Sequence, residues 1–359
     1  MDEHVVSADA LRRQMGLIFS AWGMPADHVK TTVHVMSETD LRGIDSHGIG
    51  MIPSYDRWLR QKRLTMAADI RIVRDMPAGG LIDGGGGLGY VSSVLAMEMA
   101  IKKAKAVGIA MMGVRKSDHF GAAGHYALMA ASQGLIGFAM TSGATAFTVP
   151  TFGREPRLGT NPIAFAAPGR RNRPFCLDMA TSAVAFGKIN IARRAKKKLA
   201  EGLALDAEGM SITDSQQAFE SRRLSPLGGD RARGGHKGYG LAMMVQILCD
   251  TMTGTNMLRP FPGRHETDLG PGRFAHFVMA LDPKMMRGDD GFEGDLDDLL
   301  DLMRATAPVD PAQPVMVAGD PEDKTYAERS RAGVPMTDTL YDEVRAVARG
   351  ANVEFVLSR

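Results

Sequence analysis

Cysteine is almost absent from this chain. The 359 residues contain two, Cys176 and Cys249, and no Cys-x-x-Cys pair or Cys/His cluster. This scarcity argues against a disulfide framework and against structural zinc, and no metal is expected. It is typical of a protein in a reducing compartment, so we expect a cytoplasmic location.

The chain also lacks an excess of charge of either sign. Its 43 basic and 41 acidic residues leave a net charge of +2, so no overall field attracts nucleic acid or an anionic membrane. No apolar run is long enough to span a bilayer, and the first residues lack the basic-then-apolar pattern of a signal peptide. These absences predict a globular protein with no nucleic-acid or membrane partner.

Hydrophobic periodicity separates a helical beginning from a mixed remainder. Helices are predicted up to about residue 61, starting with 8–22 behind the capping residue Ser7. From Asp69 onward, short strands alternate with helices. The predicted strands include 109–114, 135–141, 274–281 and 315–317. The pattern predicts a mixed α/β fold.

A glycine-rich stretch between a short strand and a helix suggests a dinucleotide site. Gly84, Gly86 and Gly89 match the GxGxxG pattern of Rossmann folds. However, the preceding strand is weak, and mostly helical residues come before it. Arg115 also follows the next strand, where an acid for the cofactor ribose is expected, although an arginine there could suit a 2′-phosphate. We therefore reject this stretch as the cofactor site.

Short polar corners recur at the ends of the predicted elements. Each combines small residues with one or two reactive groups, and they lie at 45–48, 118–121, 158–162, 178–182 and 235–238. In the second, His119 follows a buried strand and precedes a helix, where its imidazole can exchange a proton near pH 7. Alone, each corner is explained as well by a turn, a helix cap or a solvated side chain. Together they are what a composite cleft needs.

Several corners carry recognisable motifs in a fixed order. These are DSHGIGMIPSY at 45–55, HFG at 119–121, LGTNP at 158–162, DMATS at 178–182, AFGK at 185–188, PLG at 226–228 and HKGYGLA at 236–242. Through them the chain resembles the malate/L-lactate dehydrogenase-like oxidoreductases, which use NAD(P) and differ from Rossmann-type lactate and malate dehydrogenases. The stretches 46–55 and 185–188 are most similar to the hydroxycarboxylate dehydrogenase B branch.

The resemblance implies an architecture. The expected fold is mixed α/β, with a largely antiparallel cofactor-binding sheet that is not a Rossmann fold, plus a helical domain. Residues 1–68 form a helical segment that packs with C-terminal helices in 320–359. Residues 69–115 form a strand-helix segment for substrate and dimer contacts, and 116–319 form the cofactor-binding domain. A homodimer is expected.

The resemblance also implies roles for individual residues. His119 is the proton donor and acceptor, with His47 and Ser46 as the other catalytic residues. The expected contacts of NAD or NADP are Gly124, His125, Tyr126, Ser142, Asp178, Met179, Ala180, Thr181, Ser182, His236, Lys237, Gly319, Asp320, Pro321 and Glu322. The expected substrate contacts are His47, Thr160, Asn161 and Arg154.

One position departs from the family pattern. Many members carry an arginine in the motif Ser-His-Gly-x-x-Arg, where it can pair with a carboxylate. This chain has Met51 at that position. Arg154 and Arg157 are candidate replacements, with a surface role as the alternative reading of both.

The expected reaction is reversible hydride exchange between NAD(P)H and a small 2-oxo acid, which gives a 2-hydroxy acid. Negative charge grows on the carbonyl oxygen as hydride arrives, so an imidazolium at His119 would stabilise that charge and hand over the proton. Two alternatives stay open. One is reduction of a cyclic imine, Δ1-piperideine-2-carboxylate or Δ1-pyrroline-2-carboxylate, and the other is a cofactor-binding protein without turnover.

Overall fold

The apolar runs of the chain pair into one large sheet in the computed structural model, which describes residues 3–143, 145–255 and 271–358. The described strands are β1 (Glu3–Val6), β2 (Arg71–Met76), β3 (Gly79–Asp83), β4 (Ile109–Ser117), β5 (Ile136–Ser142), β6 (Ile163–Ala167), β7 (Phe175–Met179), β8 (Ala204–Leu205), β9 (Ser211–Ile212), β10 (Phe274–Leu281) and β11 (Val334–Thr337). The large sheet has seven strands in the order β2-β3-β4-β10-β5-β6-β7.

The helices cover the sheet and form the two ends of the chain. They are α1 (Ala8–Ala21), α2 (Ala26–Leu41), α3 (Ile52–Arg60), α4 (Gly89–Val107), α5 (Ala123–Ala131), α6 (Phe186–Arg194), α7 (Ser215–Ser221), α8 (Gly235–Gln246), α9 (Lys284–Arg287), α10 (Phe292–Arg304), α11 (Asp320–Ala332) and α12 (Asp338–Gly350). Local interactions determine where several of these helices begin or end. The Ser7 hydroxyl accepts a hydrogen bond from the Ala10 amide at 3.2 Å, and Gly108, at φ +90°, ends α4. No helix among the described residues combines the length and apolarity needed to cross a membrane.

The sheet is largely antiparallel. Every neighbouring pair runs antiparallel except β3 and β4, which are joined through α4 and run parallel. A doubly wound Rossmann sheet would be parallel throughout its cofactor half. The prediction of a mixed α/β fold on a largely antiparallel, non-Rossmann sheet is therefore confirmed.

The glycine-rich loop between β3 and α4 supports the neighbouring corner and leaves few amides for a ligand. The Gly84 and Gly86 amides donate to the carbonyls of Arg115 and Lys116 at 2.8 Å each. The Gly89 amide donates to the His119 carbonyl at 2.9 Å. Amides engaged in this way cannot cradle a pyrophosphate. The geometry agrees with the rejection of this stretch as the cofactor site.

The ends of the chain pack on each other. Strand β1 pairs antiparallel with β11, and α12 packs against α1 and α3. One core cluster joins Phe19 of α1, Tyr55 of α3 and Tyr90 of α4 to Val344 of α12. The helical first segment thus contacts the C-terminal helices. The division into domains at 68, 115 and 319 stays a prediction.

Two local predictions about strands differ from the structure. Residues 315–317 form no strand, because the Val317 amide donates to the Asp320 carboxylate at 3.0 Å instead of to a ladder partner. Strand β1 was not expected from its four residues, since its pairing with β11 spans almost the whole chain.

Candidate active site

His119 occupies the corner between β4 and α5. Its amide donates to the Asp118 carboxylate at 2.8 Å, and its carbonyl accepts from the Gly89 amide at 2.9 Å. The backbone is therefore held from both sides. The corner thus carries the imidazole past the end of β4 at Ser117.

A tyrosine hydroxyl contacts one of the two nitrogens of the His119 ring. The Tyr55 hydroxyl lies 2.7 Å from Nδ1 of His119 and 2.7 Å from the Tyr90 hydroxyl. A hydroxyl can donate to a bare Nδ1 or accept from a protonated one. Tyr55 thus stays bonded to the ring in either protonation state, and Nε2 is left for a ligand.

The surroundings of His119 are apolar and aromatic. Rings of Tyr55, Trp58 and Phe274 lie 5.9, 6.4 and 6.3 Å from its ring, centroid to centroid. Burial, followed by the nearby His47 and His276, lowers the pKa of His119 well below the usual histidine value. The free imidazole is therefore neutral at pH 7.

The second histidine corner lies against the first. The His47 ring stacks on the His119 ring at 5.3 Å with an angle of 25° between the planes. The Ser46 hydroxyl lies 2.7 Å from Nδ1 of His47. Burial lowers the pKa of His47 to about 4, so this ring is also neutral at pH 7. The predicted catalytic residues Ser46, His47 and His119 come together in the structure.

A buried carboxyl group holds the His47 corner. The Asp40 carboxyl accepts a hydrogen bond from the Ile49 amide at 2.8 Å, and burial raises the pKa of Asp40 to about 8. Arg329 of α11 donates to the Asp40 carbonyl at 2.6 Å and pairs with Asp45. The corner is thus tied to both the second and the eleventh helix.

A cleft of about 640 Å³ opens beside these histidines. Many residues with predicted roles line it: Ser46, His47, Gly124, His125, Thr160, Asp178, Met179, Ala180, Ser182, Gly319 and Glu322. They come from loops and helix ends scattered over the chain. The structure therefore gathers the predicted corners at 45–48, 118–121, 158–162 and 178–182 into one composite cleft.

Some predicted residues lie behind the cleft wall. The Tyr126 ring stacks on Phe120, Ser142 bonds to Asp250, and the Thr181 hydroxyl donates to the carbonyls of Thr160 and Asn161. The Asn161 side chain donates to the Ala242 carbonyl and to Gln246 at 2.9 Å each. All four predicted residues are buried, so their side chains hold the wall together.

Other predicted residues lie outside the cleft lining. His236 and Lys237 lie in the first turn of α8, where His236 contacts Arg231 and Lys237 is exposed. Asp320 pairs with Arg304 at 2.7 Å, and Pro321 is exposed beside it. Arg154 is exposed, and its carbonyl accepts from Arg223. Arg154 is thus not among the residues that line the cleft.

The comparisons with known proteins agree with this arrangement. The profile of the malate/L-lactate dehydrogenase family matches residues 6–345. The chain belongs to the malate/L-lactate dehydrogenase family. It is 35% identical to the malate dehydrogenase of Pyrococcus horikoshii, over 94% of this chain and 92% of that protein. Hydroxycarboxylate dehydrogenase B of Escherichia coli is 29% identical, over 96% of this chain and 94% of that protein.

Solved structures of the malate/L-lactate dehydrogenase family share the fold. Malate dehydrogenase from Entamoeba histolytica is 30% identical with a TM-score of 0.93, covering 98% of this chain and 99% of that chain. Δ1-Piperideine-2-carboxylate reductase from Pseudomonas syringae is 26% identical with a TM-score of 0.83, covering 96% of this chain and 100% of that chain. The family resemblance and the prediction of a dehydrogenase are confirmed.

Dehydrogenases of this family imply a nicotinamide cofactor, and the cleft has features that fit one. Helix α5 begins at the cleft, where the Gly124 amide in its first turn donates to the Asp178 carboxylate at 2.7 Å. That carboxylate also lines the cleft and can accept a hydrogen bond from a cofactor hydroxyl. A methyl group on Gly124 would lie 3.1 Å from Oδ2 of Asp178 and 3.2 Å from Sγ of Cys176. A larger residue would crowd both side chains, so glycine keeps this part of the cleft open. Gly319, at φ +103°, opens the facing helix α11.

Sequence reasoning missed the residues that position His119 in this family member. Tyr55 closes the 45–55 motif, and Trp58, one helical turn later, shares its face. Tyr90 follows the glycine-rich stretch, which the sequence marks only as a rejected dinucleotide site. A polar aromatic residue one turn before a tryptophan in α3 is the signal that could have pointed to the His119 pocket.

Replacing Tyr55 by phenylalanine is expected to lower kcat by roughly 10- to 100-fold, because Nδ1 of His119 loses its buried partner. Cofactor affinity should stay the same. The pH profile should shift as well, since Tyr55 accepts from protonated Nδ1 and so supports the imidazolium. Tyr341→Phe is the matched control, because that buried hydroxyl donates to the Leu357 carbonyl at 2.7 Å. Equal pH profiles for Tyr55→Phe and the wild type would rule out this positioning role.

Proposed function

We propose that the protein interconverts small 2-oxo acids and 2-hydroxy acids with NAD or NADP, using His119 as the proton donor and acceptor. The observation that carries this proposal is the His119 ring itself. Its Nδ1 is 2.7 Å from the Tyr55 hydroxyl, and its face is stacked on His47 at the cleft. That arrangement leaves Nε2 as the acid-base atom for a ligand oxygen.

The chain's own residues account for the proton. A nicotinamide cofactor held by the cleft would be the source of hydride in reduction and its acceptor in oxidation. In reduction, Nε2 of the His119 imidazolium donates its proton to the carbonyl oxygen as negative charge develops there. In oxidation, neutral Nε2 takes the hydroxyl proton back. Ser46 and His47 close the adjoining wall and exclude water from the reacting atoms.

Several kinds of support favour the 2-oxo acid reaction. One relative is named a malate dehydrogenase and another a hydroxycarboxylate dehydrogenase. Malate is itself a 2-hydroxy acid. The cleft residues with predicted cofactor contacts surround the α5 and α11 helix starts. The choice between NAD and NADP, the homodimer and the cytoplasmic location stay predictions.

The lowered pKa of His119 predicts opposite pH dependence in the two directions. Oxidation of a 2-hydroxy acid needs neutral imidazole, which the free enzyme already holds at pH 7 because burial lowers the pKa. Its kcat/KM should be flat from pH 8 to about 6 and fall only at more acid pH. Reduction needs the imidazolium, so its kcat/KM should rise steadily as pH falls through the same range. Initial rates in both directions check this, and an oxidation rate that already falls between pH 8 and 7 would contradict it.

A panel of substrates tests the proposed function. The purified protein is mixed with NADH or NADPH and either 2-oxo acids or cyclic imines, and cofactor oxidation is followed by absorbance. We expect oxidation with at least one 2-oxo acid. Turnover of cyclic imines alone would instead favour the imine reductase alternative, which the similarity to Δ1-piperideine-2-carboxylate reductase supports. No turnover with either class, despite cofactor binding, would favour a binding protein.

A further inference from the structure

A 2-oxo acid brings a carboxylate that the cleft must hold in line with the reacting carbon. Aligning a charged substrate needs a fixed cation or several donors. Met51 cannot supply either, and it packs against the hydrophobic core. Resting on the proposed function, we propose that Lys188 binds the substrate carboxylate and so replaces the arginine missing at position 51.

Lys188 lies on the same wall as the histidine corner. It is in the first turn of α6, is exposed, and lines the cleft together with Ser46 and His47. The preceding residue allows a close approach, since a methyl group on Gly187 would lie 3.3 Å from Cβ of Ser46. The start of α6, with the partial positive charge of its first amides, therefore abuts the Ser46-His47 corner. An anion there would meet both the helix start and the ammonium group.

Two arginines beside the cleft, Arg42 and Arg329, are already engaged. Arg42 lines the cleft, but it pairs with Asp323 at 2.9 Å and lies over the Tyr326 ring at 5.1 Å. Arg329 is bound to Asp45, so that carboxylate is not left for Lys188. In the three described ranges, the Lys188 ammonium has no ion-pair or hydrogen-bond partner. It is the cleft-lining cation available to a ligand in this part of the chain.

The two arginines considered from sequence do not compete for this role. Arg154 and Arg157 are both exposed on the loop after β5 and are absent from the cleft lining, and Arg157 pairs with Glu155. A lysine also differs from an arginine in kind, because it offers a compact charge on a flexible stem and no planar fork. Lys188 can therefore follow carboxylates of differing position, whereas an arginine would impose one geometry.

Lys188→Gln tests the assignment against Lys197→Gln, an exposed lysine outside the cleft lining that loses the same charge. For the 2-oxo acid that the wild type reduces best, KM should rise roughly 10- to 100-fold in Lys188→Gln, with a smaller change in kcat. Lys188→Arg should recover part of the loss. Oxamate, an unreactive mimic of a 2-oxo acid that carries the same carboxylate, should bind the Lys188→Gln complex with NADH more weakly by a similar factor, while the Kd of NADH is unchanged. Lys197→Gln should match the wild type in every measurement.

The outcomes separate this assignment from the function on which it rests. If the wild type reduces a 2-oxo acid and Lys188→Gln keeps both KM and oxamate affinity, the reaction stands and the role of Lys188 is wrong. A changed Kd for NADH with an unchanged KM for the acid would make Lys188 a cofactor contact and would also overturn the assignment. If the wild type turns over no 2-oxo acid, the proposed function fails first and the assignment fails with it.

Discussion

Replacement of His119 by alanine is expected to lower kcat for 2-oxo acid reduction by roughly 100- to 10,000-fold. In the proposed mechanism Nε2 of His119 exchanges the proton, while the Tyr55 hydroxyl lies 2.7 Å from Nδ1. Without the imidazole, the proposed mechanism has lost its donor for the proton that the new alkoxide needs. Steady-state kinetics measures the loss, and titration of cofactor fluorescence measures binding. The Kd of NADH or NADPH should stay within about twofold of the wild type, since His119 is absent from the cleft lining that surrounds the α5 and α11 helix starts.

Two further variants separate proton transfer from structural loss. His119→Asn keeps a polar group within reach of Tyr55 but cannot exchange a proton near pH 7, so it should be as inactive as His119→Ala. His28→Ala, in the first turn of α2 and outside the cleft lining, should keep full activity. Turnover of His119→Asn close to the wild type would contradict the assigned role.

Replacement of Gly48 by alanine is expected to destabilise the fold by about 2–4 kcal/mol and to abolish most activity. A methyl group at this position would lie 1.8 Å from Oδ1 of Asp40, which is far inside van der Waals contact. The Asp40 carboxyl is buried and bonded to the Ile49 amide at 2.8 Å, so it cannot simply move away. Displacing it would break the support of the adjoining His47. Urea denaturation and kinetics measure the two effects.

Gly16→Ala provides the control for this glycine. It lies inside α1, and a methyl group there would have no atom within 4 Å. Alanine in a helix interior should raise the free energy of unfolding by about 0.5–1 kcal/mol. A Gly48→Ala protein as stable as the wild type would show that the Asp40 side chain can move away from position 48.

The corners of the site could be predicted from sequence because their chemistry is local. His119, His47 and Asp178 each lie in a short polar segment between apolar elements, and the motifs around them occur in family order. The largely antiparallel sheet came from the same resemblance. Composition and periodicity alone would not have given the strand order, in which β10 lies between β4 and β5 although it follows them in the chain.

The partners of those corners could not be predicted, because they depend on contacts between distant segments. Tyr55 meets His119 across 64 residues, and Gly187, the residue before Lys188, approaches Ser46 only once α6 has folded against that corner. Conversely, Asn161 has a residue type suited to binding. Its side-chain amide instead donates to the Ala242 carbonyl and to Gln246. These partners lie far along the chain, so no local pattern predicts them.

Transfer of deuterium from the cofactor to the substrate tests the central claim most directly. The protein is incubated with NADH or NADPH that carries deuterium at both C4 positions, together with a 2-oxo acid, and the product is examined by NMR. Hydride transfer to the carbonyl carbon predicts a 2-hydroxy acid with one deuterium at C2, and no such product from His119→Ala over the same time. Unchanged 2-oxo acid in the wild-type sample, or equal label transfer by His119→Ala, would contradict it.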